Sequence, residues 1–428
     1  MSYRPGLPHM AYFRALADAP SEQDATWRST LAGLVAMRLI DAWATEAPLP
    51  EPGLRALERA VNMMDVDALE RPALGRLRSA LTSEERGRAG AASEVLHCTR
   101  EYAESLWLTA EWALASDSCR TIIRHARTST EQAIVPSAYS RLGHCLLIRG
   151  RQDAAIEAFQ AGRSMASSQG DLRSDLSLRI AETTVAVQRG KFLAAECVLD
   201  EVIAEATFAG LAETKARATH DRGVIAYKRG DAMRALTLYF RALADYGTDI
   251  GADRVLADIA LAVLDLGYRE IAREVLRMLE EHSIELTQRW AATVNLMRIA
   301  ALDGHELLFD DYRRKLTRLR LPVRQRAYYH LFAAQGWMRF DQPLLARREL
   351  ARVSHAVRHY QLAELDAELA KGLHMLESPF PKDDAPTLIA TADLQQLVDH
   401  APAAAKAWQS GRRSAVDRSY QLAAGATA

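Results

Sequence analysis

The chain has very little lysine: of 54 basic residues only 7 are Lys and 47 are Arg. Arginine is the better fork for carboxylate and phosphate, and coding bias is the simplest account of the excess. With 55 acidic residues the net charge is −1, so no global field draws the protein to nucleic acid or a membrane surface. Cysteine is sparse, and Cys98, Cys119, Cys145 and Cys197 form no CxxC pair. A disulfide framework is not expected at that density, and a reducing cytosol fits. No apolar run approaches the roughly 20 residues of a membrane span. The opening stretch MSYRPGLPHMAYFRALADAP lacks the apolar centre of a signal peptide, so a cytoplasmic location is expected. The signatures GxxxxGK[ST], GxSxG and strand-anchored GxGxxG are missing. Strand-like alternation is almost absent as well.

What remains is helical spacing of apolar residues throughout, which predicts an all-α protein. A chain of 428 residues is too long for one compact core unless that core is extended and repetitive. Helices are expected at 24–46, 52–70 and 72–81, with Thr82-Ser83-Glu84-Glu85 resembling a capping box for a helix running to about Ala115. No helix-turn-helix is evident in 1–90, so a DNA reader is lacking. SPFPKDDAP at 378–386 reads as a linker before a helix at 392–409 and a small-residue tail expected to fray. Three parts follow: a helical region at 1–90, a repeat array at 91–378, and a linker with C-terminal helix at 379–428.

The middle of the chain repeats. LGHCLLIRGRQDAAIEAF, ETTVAVQRGKFLAAECVL and RGVIAYKRGDAMRALTLY place Gly150, Gly190 and Gly230 at steps of 40 residues. LAVLDLGYREIAREVL and LMRIAALDGHELLFDDY continue with Gly267 and Gly304 at steps of 37, and Asp341 takes the glycine slot another 37 on. A fixed period in this range means stacked supersecondary units. Each unit is a helix pair. Gly230 stands where the first helix stops and the chain reverses, a place for φ > 0. Gly223 is mid-helix, where glycine costs up to about 1 kcal/mol against alanine. Close approach of the partner helix, with Ala235 small and Tyr239 filling the groove, offsets that cost.

These residues resemble the tetratricopeptide repeat, in which small residues at the eighth and twentieth positions let two antiparallel helices nest. Gly223, Gly230, Ala235, Tyr239 and Ala242 stand where that family expects them, and the likeness covers about 136–360. The 37–40 residue period is similar to the longer repeats of bacterial regulatory and sensor proteins. Thr183 in the second copy, and Phe309 and Arg313 in the fifth, depart from the pattern. The resemblance implies a right-handed α-solenoid whose first helices line a concave groove for peptides or proteins. Its register puts Ser140, His144, Thr184, Arg217, His220, Lys228, Arg254, Arg298 and Arg339 on that face. Five of these nine are permanently cationic and none is acidic, which favours an acidic or carboxylate-bearing partner. His144 stands at the asparagine position of the carboxylate clamp seen in chaperone-binding members, so a chaperone C-terminus is not the expected ligand.

Signals for chemistry are weak. His355 and His359 lie one helical turn apart as metal ligands can, but HExxH is absent and two surface histidines are the better reading. His305, Glu306, Asp310 and Asp311 read as a solvated helix start suited to the N-terminal dipole. Cys145 beside His144 is a poor nucleophile pair, since helix neighbours point apart. Neither enzyme activity, cofactor nor metal is therefore expected. The segment 313–358 carries twelve Lys or Arg against two acids, Asp341 and Glu349, interleaved with aromatics. Single-stranded nucleic acid is the alternative partner for such a pattern; the competing reading is a solvated face over core aromatics.

Overall fold

The computed structural model describes residues 8–19, 21, 24–44, 49–82, 91–246, 251–377 and 392–425. Every regular element among them is helical, and most consecutive helices pack on one another as neighbours. The fold is thus all-α, of stacked tetratricopeptide-like helix pairs. It divides into two units, Met1–Leu178 and Arg179–Ala428.

The first unit holds α1 (Met10–Asp18), α2 (Ala25–Trp43), α3 (Glu51–Met63), α4 (Arg71–Thr82), α5 (Ala91–Leu108), α6 (Trp112–His125), the single turn α7 (Ser129–Gln132), α8 (Val135–Ile148) and α9 (Gln152–Gln169); α10 (Leu172–Gln188) contains the boundary. The helix expected to run on to Ala115 is broken, because Ala110 adopts φ 64° between α5 and α6. The expected capping box at 82–85 extends outside the described residues. One forms instead at α7, where Thr128 Oγ1 accepts from the Glu131 N–H at 3.3 Å and Glu131 accepts from the Thr128 N–H at 3.2 Å. Polar side chains fasten α1. His9 meets Asp41 at 2.9 Å, His125 reaches the other Asp41 oxygen at 2.6 Å, and Tyr12 bonds Ser118 at 2.9 Å.

The second unit continues with α11 (Phe192–Phe208), α12 (Ala212–Lys228), α13 (Ala232–Tyr246), α14 (Gly251–Asp265), α15 (Arg269–His282), α16 (Leu286–Leu302), α17 (Glu306–Thr317), α18 (Val323–Arg339) and α19 (Pro343–Tyr360). A 3-10 turn (Ala363–Leu365), α20 (Asp366–Glu377) and α21 (Ala392–Gly425) follow. The glycine slots behave as the spacing predicts. Gly230 has φ 83°, and even Asp341 takes the left-handed value of 55°. Phe309, the departure in the fifth copy, is fully buried. Its ring fills the space beside Gly336 of the next pair, where an added Cβ would stand 2.4 Å away.

Two features of the second unit differ from an open array. The C-terminal helix packs against α13, α14 and α15. Val398, Ala401, Ala405 and Trp408 enter the same core as Leu256, Ala260, Ala272 and Leu276. The last pair is already covered, because α20 packs on α18 and α19. The array also meets its own end: a Cβ at Gly190 would lie 3.6 Å from that of Ala363.

A candidate ligand-binding concavity

The first helices of successive pairs in the second unit are α12, α14, α16 and α18. A step of 37 residues relates Arg217 to Arg254, Asp221 to Asp258 and Asn295, and Lys228 to Asp265 and Arg339. Their side chains form a circuit. His220 Nε2 meets Asp258 at 2.8 Å, and the Tyr227 hydroxyl donates to Asp265. Asp265 also pairs with Arg298 at 2.7 Å, and the Arg298 guanidinium lies 4.7 Å from the Phe332 ring centroid. Lys228 closes the circuit by donating to the Tyr328 hydroxyl, from α12 to α18. The contact ties the first of four successive first helices to the last.

Acids from outside those helices complete the wall. Arg254 pairs with Glu285 at 3.0 Å. Arg324 grips Glu364 with two bonds, at 2.5 and 2.8 Å, and Lys228 approaches the same carboxylate at 3.5 Å. Burial opposes the Glu364 charge, but Arg324 and Lys228 outweigh it and hold the carboxyl below its ordinary range. For Lys228, burial likewise works against the charge, while Tyr328 and Glu364 more than compensate and raise its pKa. Asp221 is the exception. Burial lifts its pKa, and His220 Nδ1 lies 3.8 Å away.

The nine positions read from the repeat register divide between the two units. Ser140 and His144 belong to the first unit, where His144 Nδ1–H donates to the Ser140 carbonyl at 2.7 Å and the ring packs edge-on against Trp107 and Phe159. Thr184 bonds back to the Ile180 carbonyl at 3.5 Å. His220, Lys228, Arg254 and Arg298 belong to the wall, with Arg217 in electrostatic reach of Asp221. Arg339 ends α18 and is exposed. Asp221, Asp258, Asp265, Glu285, Asn295, Arg324, Tyr328 and Glu364 were missed. The 37-residue step from Arg217 to Arg254 carries Asp221 onto Asp258 too, and could have found the first two.

Three atoms on α16 and α18, two helices that contribute to the wall, are buried without a hydrogen-bond partner: Asn295 Oδ1, Arg298 Nε and Gln325 Oε1. Buried polar groups of this kind call for an explanation.

The basic segment 313–358 is differently disposed. Arg313 and Arg314 both pair with Asp310, Lys315 with Glu280 and Arg352 with Glu349. Tyr329 and Phe332 are buried, and Trp337 and Phe340 pack on Phe309. His355 and His359 stack with ring centroids 5.5 Å apart. Among the described residues no group of three or more His, Cys, Asp or Glu is placed to hold a metal ion, and no helix is long and apolar enough to cross a membrane.

No family model and no curated protein matches the sequence. Solved structures do. The Rap conjugation gene regulator of the plasmid pLS20, in complex with the Phr* peptide, aligns at 11% identity over 77% of this chain and 96% of its own, with a TM-score of 0.51. A Rap protein complexed with competence and sporulation factor aligns at 13% identity over 80% and 99%, TM-score 0.48. The P58(IPK) TPR domain aligns at 14% identity over 79% and 98%, TM-score 0.22. Of these three, the first alone overlaps closely enough to bear on the fold, and at such identity fold is all it shows.

Proposed function

We propose that the protein is a non-catalytic regulator that binds a peptide or protein segment in the concavity of its second unit. The observation that carries this reading is the set of unpartnered buried atoms on α16 and α18, Asn295 Oδ1, Arg298 Nε and Gln325 Oε1. Two acceptors and a donor left open in this way suit the alternating N–H and C=O groups of an extended backbone. The peptide bound to the pLS20 Rap regulator lends support by analogy of fold. The ligand is one that carries a carboxylate, taken by Arg254 or Arg298 in exchange for the acids those arginines now hold. Because Glu285, Asp265 and Glu364 match much of the wall's positive charge, the preference for acidity is local, not a long-range pull.

The reading is tested with an array of short peptides, each displayed with a free and an amidated C-terminus. Full-length protein is expected to select a subset, favour the free carboxylate, and lose at least tenfold in affinity on Asn295→Ala or Arg298→Met. Wild-type-like binding by both variants would place the ligand elsewhere.

A further inference from the structure

Two hydrogen bonds behind the wall join the C-terminal helix to the Arg254–Glu285 pair. Trp408, buried in the seat of α21, donates its indole N–H to Asp253 Oδ1 at 2.8 Å. The other oxygen of that carboxylate accepts from Ser283 Oγ at 2.5 Å. Asp253 is fully buried and directly precedes Arg254. Ser283 stands two residues before Glu285, in the short link between α15 and α16. That link is held in turn by Thr287, which donates to Glu285 at 2.5 Å, and by Arg289, which donates to the Ser283 carbonyl at 2.6 Å. One buried carboxylate therefore binds α21 on one oxygen and the backbone of the ion pair on the other.

A buried carboxylate that loses a donor keeps its desolvation penalty and surrenders the compensation. Its two donors are therefore held jointly, and a shift at one is felt at the other. If Arg254 turns from Glu285 to another anion, Glu285 loses the compensation that Arg254 supplies and keeps its desolvation penalty. The 283–287 link then has reason to move, and Ser283 moves with it.

We propose that α21 is the output element of the concavity: disengaging Arg254 from Glu285, as a ligand carboxylate would, loosens the Trp408–Asp253 contact and undocks the helix. The identity of the trigger rests on the peptide-binding reading; the mechanical link does not. Coupling of this kind is reciprocal in free energy, so undocking α21 must also alter the wall.

Hydrogen–deuterium exchange on the full-length chain, without any ligand, tests the link. Arg254→Met is expected to raise exchange across 394–408 at least tenfold. Arg298→Met, at a cation of the same wall paired with Asp265, is expected to leave that segment unchanged. In the reverse direction, Trp408→Phe keeps an aromatic ring and removes the donor, and is expected to raise exchange across 283–289 at least tenfold. Should Arg254→Met fail to fold, Ser283→Ala cuts the same link more gently, with the same expected result at α21. Unchanged exchange across 394–408 in a folded Arg254→Met or Ser283→Ala protein, or equal acceleration by Arg298→Met, overturns the proposal. A peptide array without hits would overturn the binding reading and leave this result standing.

Discussion

The Tyr239 ring lies where a Cβ on Gly223 would stand, with Cδ1 and Cε1 each 2.6 Å from that position. The mid-helix glycine is thus required by an aromatic ring, more directly than by the small Ala235 beside it. Gly223→Ala forces a fully buried ring to move, and is expected to lower stability by about 1–3 kcal/mol. The phenol oxygen of Tyr239 is buried without a hydrogen-bond partner. Tyr239→Phe removes an unsatisfied group and should leave stability equal or higher. Urea denaturation of the pair of variants checks both signs. A Gly223→Ala protein as stable as the parent would refute the packing account.

Glu364 holds the two ends of the inner circuit together, with its side chain fully buried between Arg324 and Lys228. Glu364→Gln leaves two cations without their anion. The expected loss is on the order of 3 kcal/mol, at the low end for a broken buried pair, because Arg324 keeps 38% of its side chain exposed. Lys228→Met, which leaves the Arg324–Glu364 fork in place, should be milder. Chemical denaturation ranks the two, and the reverse order would show that Arg324 alone does not suffice for Glu364.

The first unit should respond to pH through His9. Burial opposes its charge, but the carboxylates of Asp117 and Asp41 outweigh burial and raise its pKa from 6.5 to about 9. A raised folded pKa gives stability that is complete below pH 6.5 and declines as pH climbs through 9. Asp41 behaves oppositely. Burial again opposes, yet His125 and His9 hold its carboxyl below the usual range, so its contribution is present above pH 4 and lost in acid. His9→Gln should flatten the alkaline limb between pH 6.5 and 9 and shrink, without abolishing, the acid limb that His125 still supports. An unaltered alkaline limb in melting curves across that range would remove His9 from the account.

Asp341 occupies the glycine slot of the last pair at φ 55°. Aspartate tolerates the left-handed region better than most residues, but glycine enters it without a Cβ. Asp341→Gly is expected to be neutral or to stabilise by up to about 1 kcal/mol, and Asp341→Val to destabilise. Thermal melts distinguish them; a stabilising valine would contradict a left-handed backbone at this position.

The pair architecture was legible because turns impose a local rule. Gly150, Gly190, Gly230, Gly267 and Gly304 all have positive φ, and each declares itself by its own chemistry. Gly170 and Gly210 obey the same rule halfway between, at φ 67° and 69°, and were overlooked because the longer period drew the eye. The wall was only half legible. Helix register marks which residue faces inward, so Arg254 and Arg298 were found. It says nothing of Glu285 in a link or Glu364 in a 3-10 turn, which arrive by tertiary packing. The seat of α21 was illegible for the same reason: the 3-4-3 spacing of Val398, Ala401, Ala405 and Trp408 announces an apolar stripe, but not which helices it will meet.

An open solenoid can gain or lose a repeat cheaply, since each repeat touches only its neighbours. The second unit lacks that liberty. Lys228 has to reach Tyr328 and Glu364, and Gly190 has to stay beside Ala363. An extra helix pair inserted between them would carry the two sides of each contact apart, and a deletion would drive them into one another. The number of repeats between 190 and 363 is therefore fixed by closure. Duplication, the ordinary route by which such arrays diversify, is barred here, and variation is confined to side chains on the wall and to the segments outside the circuit.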